Sequence, residues 1–205
     1  MPRAFNEAER GKIRERLISA GKKAINRSGP RALVVDEVAR EAGISKGSFY
    51  SFFPSREELI LAVFESWEAE HRGALLAEMA EGSGTARERL ARFFLGIFTI
   101  LEREPGLAKL SFGEIERLVE GLPPERVAAH QAADKATMEG AFARWAEAGF
   151  MDPAFLASLE GLMPALFAMA LHKEDFPPGS FEPAVRLIAE ALALRLASGE
   201  EGGGT

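Results

Sequence analysis

No cysteine stands anywhere in the 205 residues, so disulfides, zinc ribbons, iron–sulfur clusters and a thiol nucleophile are excluded together. Histidine is nearly as scarce. His71, His130 and His172 are dozens of residues apart, with no H-E-x-x-H pair among them and no Gly-x-Ser-x-Gly elbow elsewhere. "EGSGT" near residue 83 is too short for a phosphate-binding loop and lacks its Gly-Lys-Ser/Thr ending. Metal ligation, cofactor binding and catalysis are therefore not expected. The chain also lacks period-two alternation beyond a few residues, which leaves no candidate strands. Its first twenty residues carry charges throughout, and no apolar run of the roughly 18 residues that span a bilayer is expected. A cytoplasmic protein without membrane contact follows.

What is there is helix. Apolar residues recur at helical spacing almost everywhere, and the expected architecture is all-α with about nine helices. A first helix over about 6–28 puts Ile13, Leu17, Ala20 and Ala24 on one face, and "SGPR" stops it. Short helices follow over about 35–42 and from Ser45 to about Phe52, joined by a turn at Gly43. Ser55 and Glu58 form a capping box for a long helix that "EGSGT" ends, and Thr85 caps the next. Leu90, Phe94, Ile97 and Leu101 share a face there, Pro105 breaks the helix, and a shorter one runs to about Glu120. Three more span about 123–148, 153–172 and 181–197, and "EEGGGT" is read as a disordered tail over 199–205.

Charge is unevenly placed. Residues 1–56 hold twelve Lys/Arg against six Asp/Glu, so a head of +6 sits on a body of −12 although the whole chain carries −6. Two short helices joined by a glycine-bearing turn make a helix-turn-helix, whose second helix enters the major groove of double-stranded DNA. Across the two helices, Val38, Ala39, Ile44, Phe49 and Phe53 fall where they pack together, and Lys46, Gly47, Ser48 and Tyr50 fall outward. Lysine reaches phosphate or guanine, serine a base edge or phosphate, tyrosine a phosphate, and glycine lets backbone approach the duplex.

The stretch "LVVDEVAREAGISKGSFYSFFPSREELILAVFE", residues 33–65, resembles the DNA-binding signature of TetR-family transcriptional regulators. The resemblance implies that Ser45, Lys46, Gly47 and Ser48 face DNA, that Tyr50 contacts phosphate, and that Arg56, in place of a common lysine, does so too. It departs at Phe52, where histidine or tyrosine is common, and at Val34, where a threonine often caps the helix; Asp36 could cap from one position in, or the helix frays. Domains are then expected at 1–54 for DNA binding and 55–198 for effector binding and dimerisation.

The implied partners are a near-palindromic operator, a second copy of the chain and a small apolar or aromatic effector. Alanine, leucine and methionine dominate the last two helices, with Leu159, Met163, Leu166 and Leu192 as candidate dimer contacts in a four-helix bundle. In the helix at 123–148, Val127, Gln131, Asp134, Met138, Phe142 and Trp145 recur at helical spacing, so two polar groups interrupt an apolar face. A ligand, water or another side chain must satisfy them if they are buried. Phe94, Phe98, Gln131, Asp134, Met138, Phe142 and Trp145 are the candidate effector-binding residues. The expectation is a homodimeric transcriptional regulator, most simply a repressor released by its effector. An effector-independent architectural or partner-recruiting DNA-binding protein is the alternative.

Overall fold

The computed structural model describes residues 5–103, 106 and 112–198, and among these it is all-α. Nine α-helices follow in order: α1 Glu7–Ser28, α2 Val35–Glu41, α3 Lys46–Phe49, α4 Arg56–Glu81, α5 Ala86–Arg103, α6 Phe112–Glu120, α7 Pro124–Glu147, α8 Leu156–Leu171 and α9 Phe181–Leu196. Pro105, the tail 199–205 and the side chain of Leu101 lie outside what is described.

Caps fix the starts. Asn6 accepts from the Glu9 amide at 2.8 Å while Glu9 accepts from the Asn6 amide at 3.0 Å, a reciprocal capping box for α1. Ser55 accepts from Glu58 N at 3.1 Å before α4. Thr85 and Glu88 repeat the box before α5, at 3.2 and 2.8 Å, and the Thr85 backbone and hydroxyl bonds hold the Glu88 carboxyl below its usual pKa.

The chain divides into two compact units. Unit 1 comprises Met1–Glu70 with Glu104–Pro124. Its core is built from Ile13, Leu17 and Ile25 of α1, Val38 and Ala39 of α2, Phe49, Phe53, and Leu59, Val63 and Trp67 of α4, all buried. Gly21 brings α1 against α4 so closely that a Cβ there would lie 2.8 Å from Val63 Cγ2. The Gly106 amide donates to Asn26 Oδ1 at 2.7 Å, tying the later segment of the unit to α1.

Unit 2 comprises His71–Arg103 with Glu125–Thr205, and α5 packs along α8 and α9. Leu90, Phe93, Phe94, Ile97 and Phe98 of α5 are buried with Phe142, Trp145, Leu159, Leu166, Val185 and Ala189. The loop after α7 is clamped to the end of α9 by an isolated antiparallel bridge, Met151 to Ala197. One sequence expectation is corrected here. Pro153–Leu171, 19 residues with mean hydropathy 1.7 and one charge, is long and apolar enough by composition to cross a bilayer. Only 17% of that window is buried, so much of its apolar surface faces outward.

Candidate nucleic-acid interface

Valine at position 34 cannot cap, and α2 begins without any side-chain cap; Asp36 pairs with Lys46 at 3.3 Å instead. The helix ends in a Schellman motif. Gly43 takes φ +76°, a left-handed conformation that costs glycine little, while the Ile44 amide donates to Ala39 O at 3.0 Å and the Gly43 amide to Arg40 O at 3.1 Å. Ser45 then caps α3, accepting from the Ser48 amide at 3.1 Å, and the two hydroxyls lie 2.9 Å apart. The regular helix stops at Phe49, earlier than expected, but helix-like bonds continue through Phe53 N to Phe49 O at 3.1 Å. Pro54 disfavours helical backbone at the residue before it and closes the segment.

This turn-and-helix sorts its residues by side. Phe49 and Phe53 are 0% and 2% exposed and point into the core with Val38 and Ala39; Ile44 is half-buried. Ser45, Lys46, Gly47 and Tyr50 are exposed, and Ser48 is half-buried. Helical spacing sets Lys46 and Gly47 beside Tyr50. The Tyr50 ring stands edge-on against Phe49 at 5.3 Å, while the residue remains about half exposed. A Cβ at Gly47 would meet nothing nearer than Ser45 Oγ at 3.9 Å, so no packing within the chain requires a glycine there.

Arg56 behaves differently from the other five. Its Nη2 donates to Pro30 O at 3.2 Å, its Nη1 lies 3.8 Å from Glu57, and its Nε is buried without a hydrogen-bond partner. The side chain lines a cleft of about 250 Å3 with Pro30, Arg31, Ile60, Phe64 and Arg117.

The candidate effector residues lie in unit 2 but do not all converge. Phe142 and Trp145 are buried with Phe93 and Phe94 in an edge-to-face cluster whose ring centroids are 4.9 to 6.0 Å apart. Phe98 packs instead on Phe181 at 6.1 Å. Met138 is half-buried and Gln131 is exposed. Asp134, half-buried, accepts from Arg72 Nη1 at 2.7 Å and lies 3.6 Å from His130, so other side chains satisfy it. Sequence periodicity missed Arg72, because a charged residue on another helix leaves no trace in the pattern of α7.

The candidate dimer contacts also split. Leu159 and Leu166 are 1% and 4% exposed within the single chain, whereas Met163 and Leu192 are half-buried. The exposed large apolar side chains of α8 and α9 are Phe167, Leu187 and Leu194.

Comparison with known proteins agrees with this geometry. Residues 17–63, from α1 to the first half of α4, match the model of bacterial regulatory proteins of the tetR family. The transcriptional regulator BetI of Rhizobium meliloti is 32% identical over 91 residues, 44% of this chain and 43% of that protein. The chain spans less than half the length of the curated relatives it matches, BetI among them. Among solved structures, a TetR-family regulator from Pectobacterium atrosepticum covers 91% of this chain and 93% of its own at TM-score 0.67 and 19% identity. FadR of Bacillus subtilis, solved with stearoyl-CoA, covers 87% and 96% at TM-score 0.55 and 16% identity. Those structures share the fold, and the sequence match covers the capped turn and α3 that expose Lys46, Gly47 and Tyr50, so residues 17–63 carry the signature of bacterial regulatory proteins of the tetR family.

Proposed function

We propose that the protein is a cytoplasmic, homodimeric transcriptional regulator that binds a near-palindromic operator through Ser45, Lys46, Gly47, Ser48 and Tyr50. One observation carries the reading. A serine-capped α3 buries Phe49 completely and leaves a lysine, a glycine and a tyrosine exposed, the division a major-groove reader requires. On this reading residues 1–54 bind DNA and 55–198 bind effector and partner. Arg56, which donates one N–H to Pro30 O, keeps further donors for a phosphate contact.

Repression relieved by a small, largely apolar effector is the regulatory half of the proposal. Buried rings of Phe93, Phe94, Phe142 and Trp145 give unit 2 an aromatic centre, and the same fold in FadR of Bacillus subtilis holds stearoyl-CoA. A ligand there must part edge-to-face rings, and its polar end would compete for the Arg72–Asp134 pair. The same tight ring packing favours the second reading, an effector-independent DNA-binding protein. Selection of bound sequences from random DNA tests the first half: an enriched palindrome supports it, and no enrichment defeats it. Adding aromatic and fatty compounds to the selected complex tests the second, and binding to the protein without change in operator affinity would leave the effector-independent reading standing.

A further inference from the structure

Several basic side chains of unit 1 are committed to carboxylates near them: Lys22 to Glu70 at 2.6 Å, Lys23 to Glu41 at 2.8 Å, Arg27 to Glu37 and Lys46 to Asp36 at 3.3 Å each. Arg10 and Arg14 of α1 are not. Neither has a carboxylate partner among the described residues, and both are exposed. Each lies over an aromatic ring of the segment that follows α3. Arg10 Cζ stands 4.7 Å from the Phe52 centroid and Arg14 Cζ 5.0 Å from that of Phe53. Arg10 Nη2 also donates to Ser51 O at 2.8 Å, and Phe5 packs on Phe52 at 6.0 Å.

Four residues apart on one helix, the two guanidiniums share a face. Ring and backbone contacts restrict two long side chains before any ligand arrives, which lowers the ordering cost of binding. A guanidinium held this way keeps further N–H donors in its planar fork, a shape that fits phosphate oxygens. Tyr50, 49% exposed, stands only two residues before Phe52. We propose that Arg10 and Arg14 form a second phosphate-binding ledge on α1, gripping the DNA backbone beside the phosphate approached by Tyr50. The proposal rests on the reading of α3 as the recognition helix and adds a surface that the α2–α3 signature does not contain.

The probe is a fluorescein-labelled duplex of random sequence, about 30 base pairs or roughly three helical turns, titrated with the full chain and followed by anisotropy. Wild type is compared with Arg10→Gln, Arg14→Gln, Lys46→Ala and Lys12→Gln, the last on a different face of α1. Glutamine keeps a donor for Ser51 O and removes the charge. Each lost phosphate contact lowers the slope of log affinity against log salt by about 0.9, or roughly 1.8 for two heads of a dimer. The advantage of wild type over Arg10→Gln then shrinks roughly tenfold between about 50 and 200 mM salt, a readout that a purely structural role would not move. Lys12→Gln leaves the slope unchanged. Should Arg10→Gln lower the thermal midpoint, Arg10→Lys takes its place and must keep the wild-type slope while Arg14→Gln loses it. Coincident slopes for wild type and both glutamine variants, with Lys46→Ala still weakened, overturn the ledge and leave the recognition helix intact. An equal loss from Lys12→Gln reduces the effect to net charge and overturns it as well. Wild type that binds no duplex at the lowest salt removes both readings.

Discussion

Gly47 and Gly43 sit four residues apart and are glycine for different reasons. Gly43 occupies φ +76°, where a Cβ is strained, so Gly43→Ala should destabilise unit 1 by about 1–2 kcal/mol, visible as a lower urea midpoint. Gly47 lies in ordinary helix with open space around it, so Gly47→Ala should keep or raise stability by about 0.4–1 kcal/mol through the unfolded state. On the proposed function it should nonetheless weaken operator binding, because the added methyl would stand where backbone approaches the duplex. A Gly47→Ala protein with unchanged operator affinity would show that nothing comes close to that surface. Arg56 could not be placed from sequence, because its rotamer is decided by Pro30 O and by a cleft formed from distant segments. Lys46, Tyr50 and the Ser45 cap could be, since each depends only on neighbours within a helical turn.

Helices α1, α3, α4 and α5 are held by caps at their starts, and α1 by a close approach to α4 along its length. The capping box at α5 depends on an ionised Glu88. Its folded pKa is depressed, so the stability it contributes is complete above the ordinary glutamate value and is lost as pH falls through the lowered one. Denaturant midpoints of wild type and Glu88→Gln should therefore differ at neutral pH and converge in acid. Gly21 supplies the close approach. A methyl there meets Val63, a β-branched side chain that is itself fully buried and cannot turn aside, so Gly21→Ala should cost about 1–3 kcal/mol by thermal unfolding. Caps at Ser45, Ser55 and Thr85 were legible in the sequence because they are local chemistry. Which leucines of α8 face inward was not. Apolar coverage runs nearly round that helix, so periodicity could not tell Leu159 and Leu166, which are buried, from Phe167, which is exposed.

At the scale of the whole molecule, the exposed apolar side chains of α8 and α9 are the features most in need of a partner. Leu187 and Leu194 are 68% and 56% exposed and seven residues apart, two turns along one stripe of α9. In a homodimer this stripe would pair with its own copy, setting two recognition helices about 34–36 Å or a multiple of that apart. Leu187→Glu combined with Leu194→Glu should yield monomers by sedimentation, with near-native helical circular dichroism and loss of operator binding. Leu166→Glu should instead unfold unit 2, since that side chain is already 4% exposed in one chain. A doubly substituted protein that stays dimeric would move the interface elsewhere.

The Lys46–Asp36 pair gives the free protein a competitor of its own. Both side chains are more than half exposed, so the pair adds little to folding, but on the proposed function it occupies a lysine that would meet DNA. A lone phosphate on random sequence offers that lysine one anion in exchange for another, whereas a guanine edge offers two acceptors in a fixed geometry. On that reading the carboxylate would weaken binding to unrelated DNA more than binding to the operator. Asp36→Asn should raise affinity for random-sequence duplex more than for the selected operator, narrowing the ratio between them, as measured by anisotropy at one salt concentration. Selectivity would then be set by an acidic residue that never touches the DNA.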